Sequence, residues 1–213
     1  MIPILKNTIF DINTHMTVFV SSDHHFFHRN IIKYANRPFD INDENCVVDN
    51  ARMMVEKHNS LVKENDISIF VGDLALGIKG RDEMFANLLK SMNGKKILIR
   101  GNHDNLPDDF YINSAGFLEV TEFINTGNTF ICHYPCYESK WNRGREPWLI
   151  NQLRKTNCKN IIHGHIHAAD PAEWESDGYN RMNVCVDFAP NDFFPIEIVD
   201  KEINEYIINK YEV

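Results

Sequence analysis

The sequence predicts an α/β sandwich. Short β-branched runs alternate with longer helical patterns in the first half, the second half is richer in strands, and no repeat, low-complexity tract or linker divides the two. With 213 residues, 43% of them hydrophobic, the chain falls in the usual size range of one domain with a sizeable core, so a single unit over residues 1–213 is expected. Residues 1–15 read as a short N-terminal extension, because the first core strand begins only at Thr17.

TVFVS (17–21) opens the first sheet. In DENCVVDNARMMVEKHNSLV (43–62), Val47, Val48, Ala51, Met54, Val55, Leu61 and Val62 recur at helical spacing, with Asn42 or Asp43 placed to cap the helix. ISIFV (67–71) is the next strand, and RDEMFANLLKSM (81–92) carries Met84, Phe85, Leu88, Leu89 and Met92 on one helical stripe. KILIR (96–100) is again a strand. FLEVTEFI (117–124) and TFICH (129–133) are read as two antiparallel strands joined through the turn NTGNTF (125–130). PWLINQL (147–153) begins a helix with Pro147 at its first position, and NIIHG (160–164), NVCVD (183–187) and PIEIV (195–199) are the remaining strands, the strand-rich later half being expected to form a second sheet.

Charge and cysteine usage exclude several classes. Lys and Arg number 22 against 30 Asp and Glu, a formal charge of −8 that repels phosphate backbones and anionic membranes; long nucleic acid is disfavoured as a partner, a short nucleotide is not. The five cysteines are odd in number and never form a CxxC pair, which argues against a disulfide framework or a zinc knuckle and suits a reducing compartment. MIPILKNTIFDINTH lacks a basic start followed by an apolar stretch, and no apolar run approaches the roughly 18 residues of a membrane span. A cytoplasmic protein with no membrane partner is expected; the oligomeric state is not legible.

The chemistry collects at strand ends. Asp23, His24 and His25 follow the first strand, Gly72 and Asp73 the second, and Gly101, Asn102, His103 and Asp104 the third; His133, then His163, Gly164, His165 and His167, close two later ones. Loops at the carboxyl ends of α/β strands converge on ligands, and the glycines precede polar residues where the backbone must turn or approach closely. On a continuing extended segment Asp23 and His25 would point to one side and His24 to the other; the same reasoning pairs His165 with His167 and leaves His163 as a third member or a buried strand histidine. Imidazole nitrogen mixed with carboxylate and amide oxygen, without thiolate, suits Mn, Fe, Ni or Zn better than Ca. Such a donor set exceeds what one tetrahedral ion needs, whereas two ions sharing a carboxylate would use it all.

The ordered set SDHH, GDLAL, GNHD, a strand-end CH and GHIH, spanning residues 22–167, resembles the calcineurin-like metallophosphoesterase superfamily. More narrowly, SDHHFFHRNIIKYANRPF and NVCVDFAPNDFFPIEI are similar to small bacterial and phage proteins described only as predicted phosphoesterases or phosphohydrolases. The resemblance implies a four-layer αββα sandwich of two mixed sheets flanked by helices. It implies one divalent metal on Asp23, His25, Asp73 and His167, and a second on Asp73, Asn102, His133 and His165, with Asp73 bridging. It places His103 on the phosphate or leaving oxygen, with Asp104 orienting it. Two departures are minor: GDLALG offers no second carboxylate, and Cys132 stands where Gly commonly precedes the histidine.

The expected activity is therefore hydrolysis of a small phosphodiester or nucleotide by in-line attack of water, with two divalent transition-metal ions. A non-catalytic scaffold would need a missing ligand or a lost His103, and the sequence has neither; a phosphomonoesterase or nuclease of the same superfamily is the other alternative. His28, three residues beyond His25, is a candidate substrate contact, and so are Arg143 and Arg145. Arg29, Lys33, Arg37 and Lys140 are weaker basic candidates, while His15 and His58 read as ordinary structural or surface histidines.

Overall fold

The computed structural model describes residues 16–137, 144–167, 177–188 and 190–211. In chain order the elements are β1 (Val18–Ser21), α1 (Arg29–Tyr34), α2 (Cys46–Leu61), β2 (Ile67–Phe70), α3 (Asp82–Lys90), β3 (Lys95–Ile99), a π-helical turn (Phe110–Ser114), β4 (Phe117–Thr121), β5 (Phe123–Asn125), β6 (Thr129–Cys132), α4 (Glu146–Leu153), β7 (Asn160–His163), β8 (Asn180–Asn183), β9 (Ile196–Glu197) and α5 (Lys201–Tyr211).

Two mixed sheets result. One has the order β4-β3-β2-β1-β9, parallel except for β9; the other has β5-β6-β7-β8, antiparallel only between β5 and β6. The period-two alternation of strand side chains explains the layers. Val18, Val20, Ile67, Ile69, Ile97 and Ile99 face Ile124, Ile131 and Ile162 in one cluster between the sheets. Phe70 and Leu98 turn the other way and pack with Met54 of α2 and Phe85 and Leu89 of α3. On the far side Phe130, Cys132 and Ile161 meet Leu149, Ile150 and Leu153 of α4. Helices, sheet, sheet and helix are the four layers expected.

Three readings need correction. FLEVTEFI is not one strand: β4 belongs to the first sheet and β5 to the second, and the chain crosses between them at Glu122. Apolar residues face a core on both sides of this crossing, and the polar pair Thr121–Glu122 at the break is too short to separate the two runs. In NVCVD, only Asn183 lies in a strand; β8 is a polar edge strand, and Val184 and Val186 instead bond the backbone of Ser22 at the junction of the two sheets. Asn45, not Asn42 or Asp43, stands at the start of α2, and it makes no side-chain cap. The helices α1 and α5 were not expected. The first is too short to show a period, whereas Ile203, Ile207 and Tyr211 do mark a buried stripe on α5. The expectation for residues 1–15 falls outside the described residues, within which no helix is long and apolar enough to cross a membrane.

Candidate metal centre

The loops after β1, β2, β3, β6 and β7 meet where the two sheets join through the backbone bridge of Ser22 with Cys185. Their backbones are unusual. Asp23 (φ 60°), His25 (φ 48°), Asp73 (φ 55°), His165 (φ 73°) and His167 (φ 49°) all adopt the left-handed region. For a residue other than glycine this costs on the order of 1–3 kcal/mol and persists only where the surroundings over-determine it. Here the peptide N–H groups of Asp23 and His25 donate to the carbonyls of Gly72 and Asp73, each at 3.0 Å, stitching one loop onto the next. Extended geometry is therefore not what groups Asp23 with His25; left-handed kinks do it. His24 still turns into the core, stacked on Phe26 with Nε2 3.4 Å from Ser21 Oγ.

Close approach explains two glycines. A Cβ at Gly101 would lie 2.2 Å from Oδ1 of Asp73, and one at Gly164 would lie 2.2 Å from Oγ of Ser22. Any side chain there would displace a loop that carries a candidate ligand.

Among the described residues, side-chain donor atoms converge in four overlapping groups, three of them without a thiol: Asp23, His25 and His167; His25, Asp73 and His103; and Asp73, His133 and His165, the atoms of each lying within 4.8 Å of one another. Nε2 of His25 stands 3.8 Å from Asp23 Oδ1 and 3.7 Å from Asp73 Oδ2. Nε2 of His133 is 3.5 Å from Asp73 Oδ2, and Nε2 of His167 is 3.9 Å from Asp23 Oδ1. Two rings are held from behind. Nδ1 of His133 donates to the Val71 carbonyl at 2.9 Å, and Nδ1 of His167 to Asp187 Oδ2 at 2.7 Å; neither oxygen carries a proton to give, so both rings present Nε2 to the site.

The electrostatics fit a cation. Asp23 Oδ1 and both ring nitrogens of His25 are buried without a hydrogen-bond partner, an arrangement that costs free energy unless something binds there. Burial raises the Asp23 carboxyl above its usual range and pushes the His25 ring down to about 3 and that of His165 to about 4, leaving both imidazoles neutral, as metal ligation requires. Burial also opposes charge on His133, but the Asp73 carboxylate outweighs it and lifts that ring to about 9. For Asp73 itself, burial is overcome by His133, by its hydrogen bonds and by His25, and the carboxyl falls below its ordinary value. Without a cation, Asp73 draws a proton onto its neighbour; a divalent ion would take that proton's place.

The remaining expected residues fall elsewhere or do other work. Asn102 is exposed on the loop between Gly101 and His103. Asp104 does not orient the His103 ring: its buried carboxylate accepts the backbone N–H groups of Asp73 (2.7 Å), Leu74 (3.0 Å) and Gly101 (2.8 Å), holding the second and third loops together. The His28 ring lies 5.9 Å from that of His25 and 6.3 Å from that of Tyr34. Arg145 gives its guanidinium to Glu122 at 3.0 Å; Arg143 and Lys140 lie outside the described residues, as does His15. His163 is buried with Nδ1 2.9 Å from the Gly164 carbonyl oxygen, and His58 is buried against Phe70. Arg37 is also buried, bound to Asp187 and to the carbonyls of Asp23 and His24. Asp187 was missed because NVCVD reads as a plain strand; its place in a stretch of narrow family resemblance was the one available signal.

The family model for calcineurin-like phosphoesterases matches residues 16–190. An uncharacterized protein, MJ1445 of Methanocaldococcus jannaschii, is 30% identical over 181 residues, covering 85% of this chain and 86% of that protein. The crystal structure of a protein of unknown function, AQ665 from Aquifex aeolicus, aligns with a TM-score of 0.62 over 92% of this chain and 98% of that one, at 24% identity, a likeness of fold alone.

Proposed function

The chain belongs to the calcineurin-like phosphoesterase family, and from that premise we propose a two-metal hydrolase acting on a small phosphodiester or nucleotide. The observation that carries the reading is the chain of shared donors: His25 belongs both to the group with Asp23 and His167 and to the one with Asp73 and His103, and Asp73 belongs in turn to the group with His133 and His165. In this reading Asp23, His25, Asp73 and His167 hold one divalent ion and Asp73, Asn102, His133 and His165 the other. The donor set, free of thiolate, favours Mn, Fe, Ni or Zn. Two such ions would supply a water of lowered pKa and neutralise charge on the phosphoryl oxygens.

His103 suits a different task. Its backbone N–H donates to Asp73 Oδ1 at 2.9 Å, which anchors the residue, while its side chain is 35% exposed where those of His25 and His133 are 4% and 0%. A ring at the mouth of the site can reach substrate and protonate the leaving oxygen. The His28 ring, next to that of His25, and the exposed Tyr34 beside it are proposed to contact the non-reacting part of the substrate. The pairing of Arg145 with Glu122 leaves no support for a direct phosphate contact by that guanidinium. The chain's acidity supports a small substrate over long nucleic acid, and five buried free cysteines fit a reducing, cytoplasmic setting. A scaffold without activity is disfavoured by the convergence of Asp23, His25, Asp73, His133, His165 and His167 and by the presence of His103 beside them.

The test is a screen of purified protein with Mn, Ni, Mg and Zn against a generic monoester, a generic diester, cyclic nucleotides and dinucleoside polyphosphates. Metal-dependent turnover of a diester or nucleotide is expected. Absence of turnover with every pairing would overturn the assignment.

A further inference from the structure

We propose that Arg37 and Asp187 are positioning residues that fix the ring of His167 for metal binding and lock it to the Asp23 loop; the inference rests on the two-metal reading above. The side chains of both are fully buried, and their sources lie 150 residues apart in sequence. Nε and Nη2 of Arg37 grip the two carboxylate oxygens of Asp187 at 2.7 and 2.9 Å. Nη1 and Nη2 also donate to the carbonyls of His24 (2.8 Å) and Asp23 (3.0 Å). One guanidinium thus ties the first ligand loop to the carboxylate that holds His167.

The geometry points to orientation rather than to bulk stability. A buried ion pair is poor at adding stability, since desolvation offsets most of its attraction, but its fork geometry fixes direction. Asp187 can only accept from Nδ1 of His167, and this leaves the Nε2 lone pair facing Asp23. A carboxylate behind a ligating histidine sets its tautomer and ring angle and raises its basicity. His167, Cys185 and Asp187 also cluster closely enough to suggest another cation site, but the Arg37 guanidinium already occupies both Asp187 oxygens with positive charge. Arg37 is equally removed from any role as a phosphate contact. The arrangement gives a physical task to ANRPF and NVCVDF, two stretches within the segments of narrow resemblance that the donor set itself leaves unused.

The experiment is titration of metal-free protein with Mn2+, followed calorimetrically, for the wild type, Asp187→Asn and Arg37→Lys. Two binding events are expected in the wild type; Asp187→Asn should weaken one of them by about 10-fold to 100-fold and leave the other unchanged, with Arg37→Lys intermediate. Equal affinities in wild type and Asp187→Asn, or equal weakening of both events, would overturn the positioning role and leave the two-metal reading standing. A wild type that binds no Mn2+ would remove both. Should Asp187→Asn not fold, nitrogen-15 NMR of histidine-labelled, Zn2+-loaded wild type decides: His167 should keep its proton on Nδ1 and carry metal on Nε2, and metal on Nδ1 would refute the proposal.

Discussion

Oδ2 of Asp73 lies 3.5 Å from Nε2 of His133, a ring already committed through Nδ1 to the Val71 carbonyl. The same oxygen is 3.7 Å from Nε2 of His25, on the other side of the site. Asp73→Asn removes the one charge that both groups of donors share. It should lower metal content and turnover together. A variant that retains two ions and near-normal turnover would show that another group bridges.

His103 lies at the edge of this arrangement, with Nε2 3.9 Å from Asp73 Oδ2. His103→Ala should keep its metals and lose roughly 100-fold to 10,000-fold in kcat if the ring is a general acid. A substrate with a good leaving group, such as a nitrophenyl ester, needs little protonation, so the defect should shrink for it. If the defect persists, the ring chiefly stabilises phosphoryl charge; loss of metal in this variant would place His103 among the ligands.

Chelation offers a coarser check. Extraction of divalent ions should abolish activity, and Mn2+ or a similar ion should restore it. Full turnover in protein verified by elemental analysis to be free of metal would refute the mechanism.

The donor set was legible because Asp23, His25, Asp73, His133, His165 and His167 each follow an apolar strand, a pattern that survives without knowledge of the backbone. The means of convergence was not: left-handed φ angles at five of these positions belong to tertiary bonds such as the one from the His25 N–H to the Asp73 carbonyl. Asp104 misled because its neighbour in sequence is His103, whereas its carboxylate folds back onto three peptide N–H groups. Four layers follow from which face each strand buries, which period-two runs foretell. The crossing at Glu122 was hidden, since both sides of it face a core.

Gly164 tests how tightly the loops are joined. Its added Cβ would meet Ser22 Oγ at 2.2 Å and Asp23 Oδ2 at 2.3 Å, atoms that hydrogen-bond each other at 2.6 Å. Gly164→Ala should destabilise the fold by about 1–3 kcal/mol and weaken metal binding at Asp23, as read by denaturant unfolding and metal titration. Unchanged values on both would mean that the Ser22 loop yields easily and that close approach is not what this glycine serves.

Glu146, at the start of α4, is 8% exposed, and burial raises its carboxyl to about 7, against 4.5 when free, with only partial relief from His133. The folded state therefore holds this proton more tightly than the unfolded chain does, so stability is lost as pH rises from 4.5 towards 7, and the full penalty applies above that range. Glu146→Gln carries no charge to bury. In metal-free protein it should be more stable than wild type by about 1–2 kcal/mol at roughly pH 8, with the advantage fading by about pH 4. Urea unfolding at the two pH values measures it. An advantage independent of pH would show that the change acts through packing, and no advantage at the higher pH would show that the carboxylate is solvated where it stands.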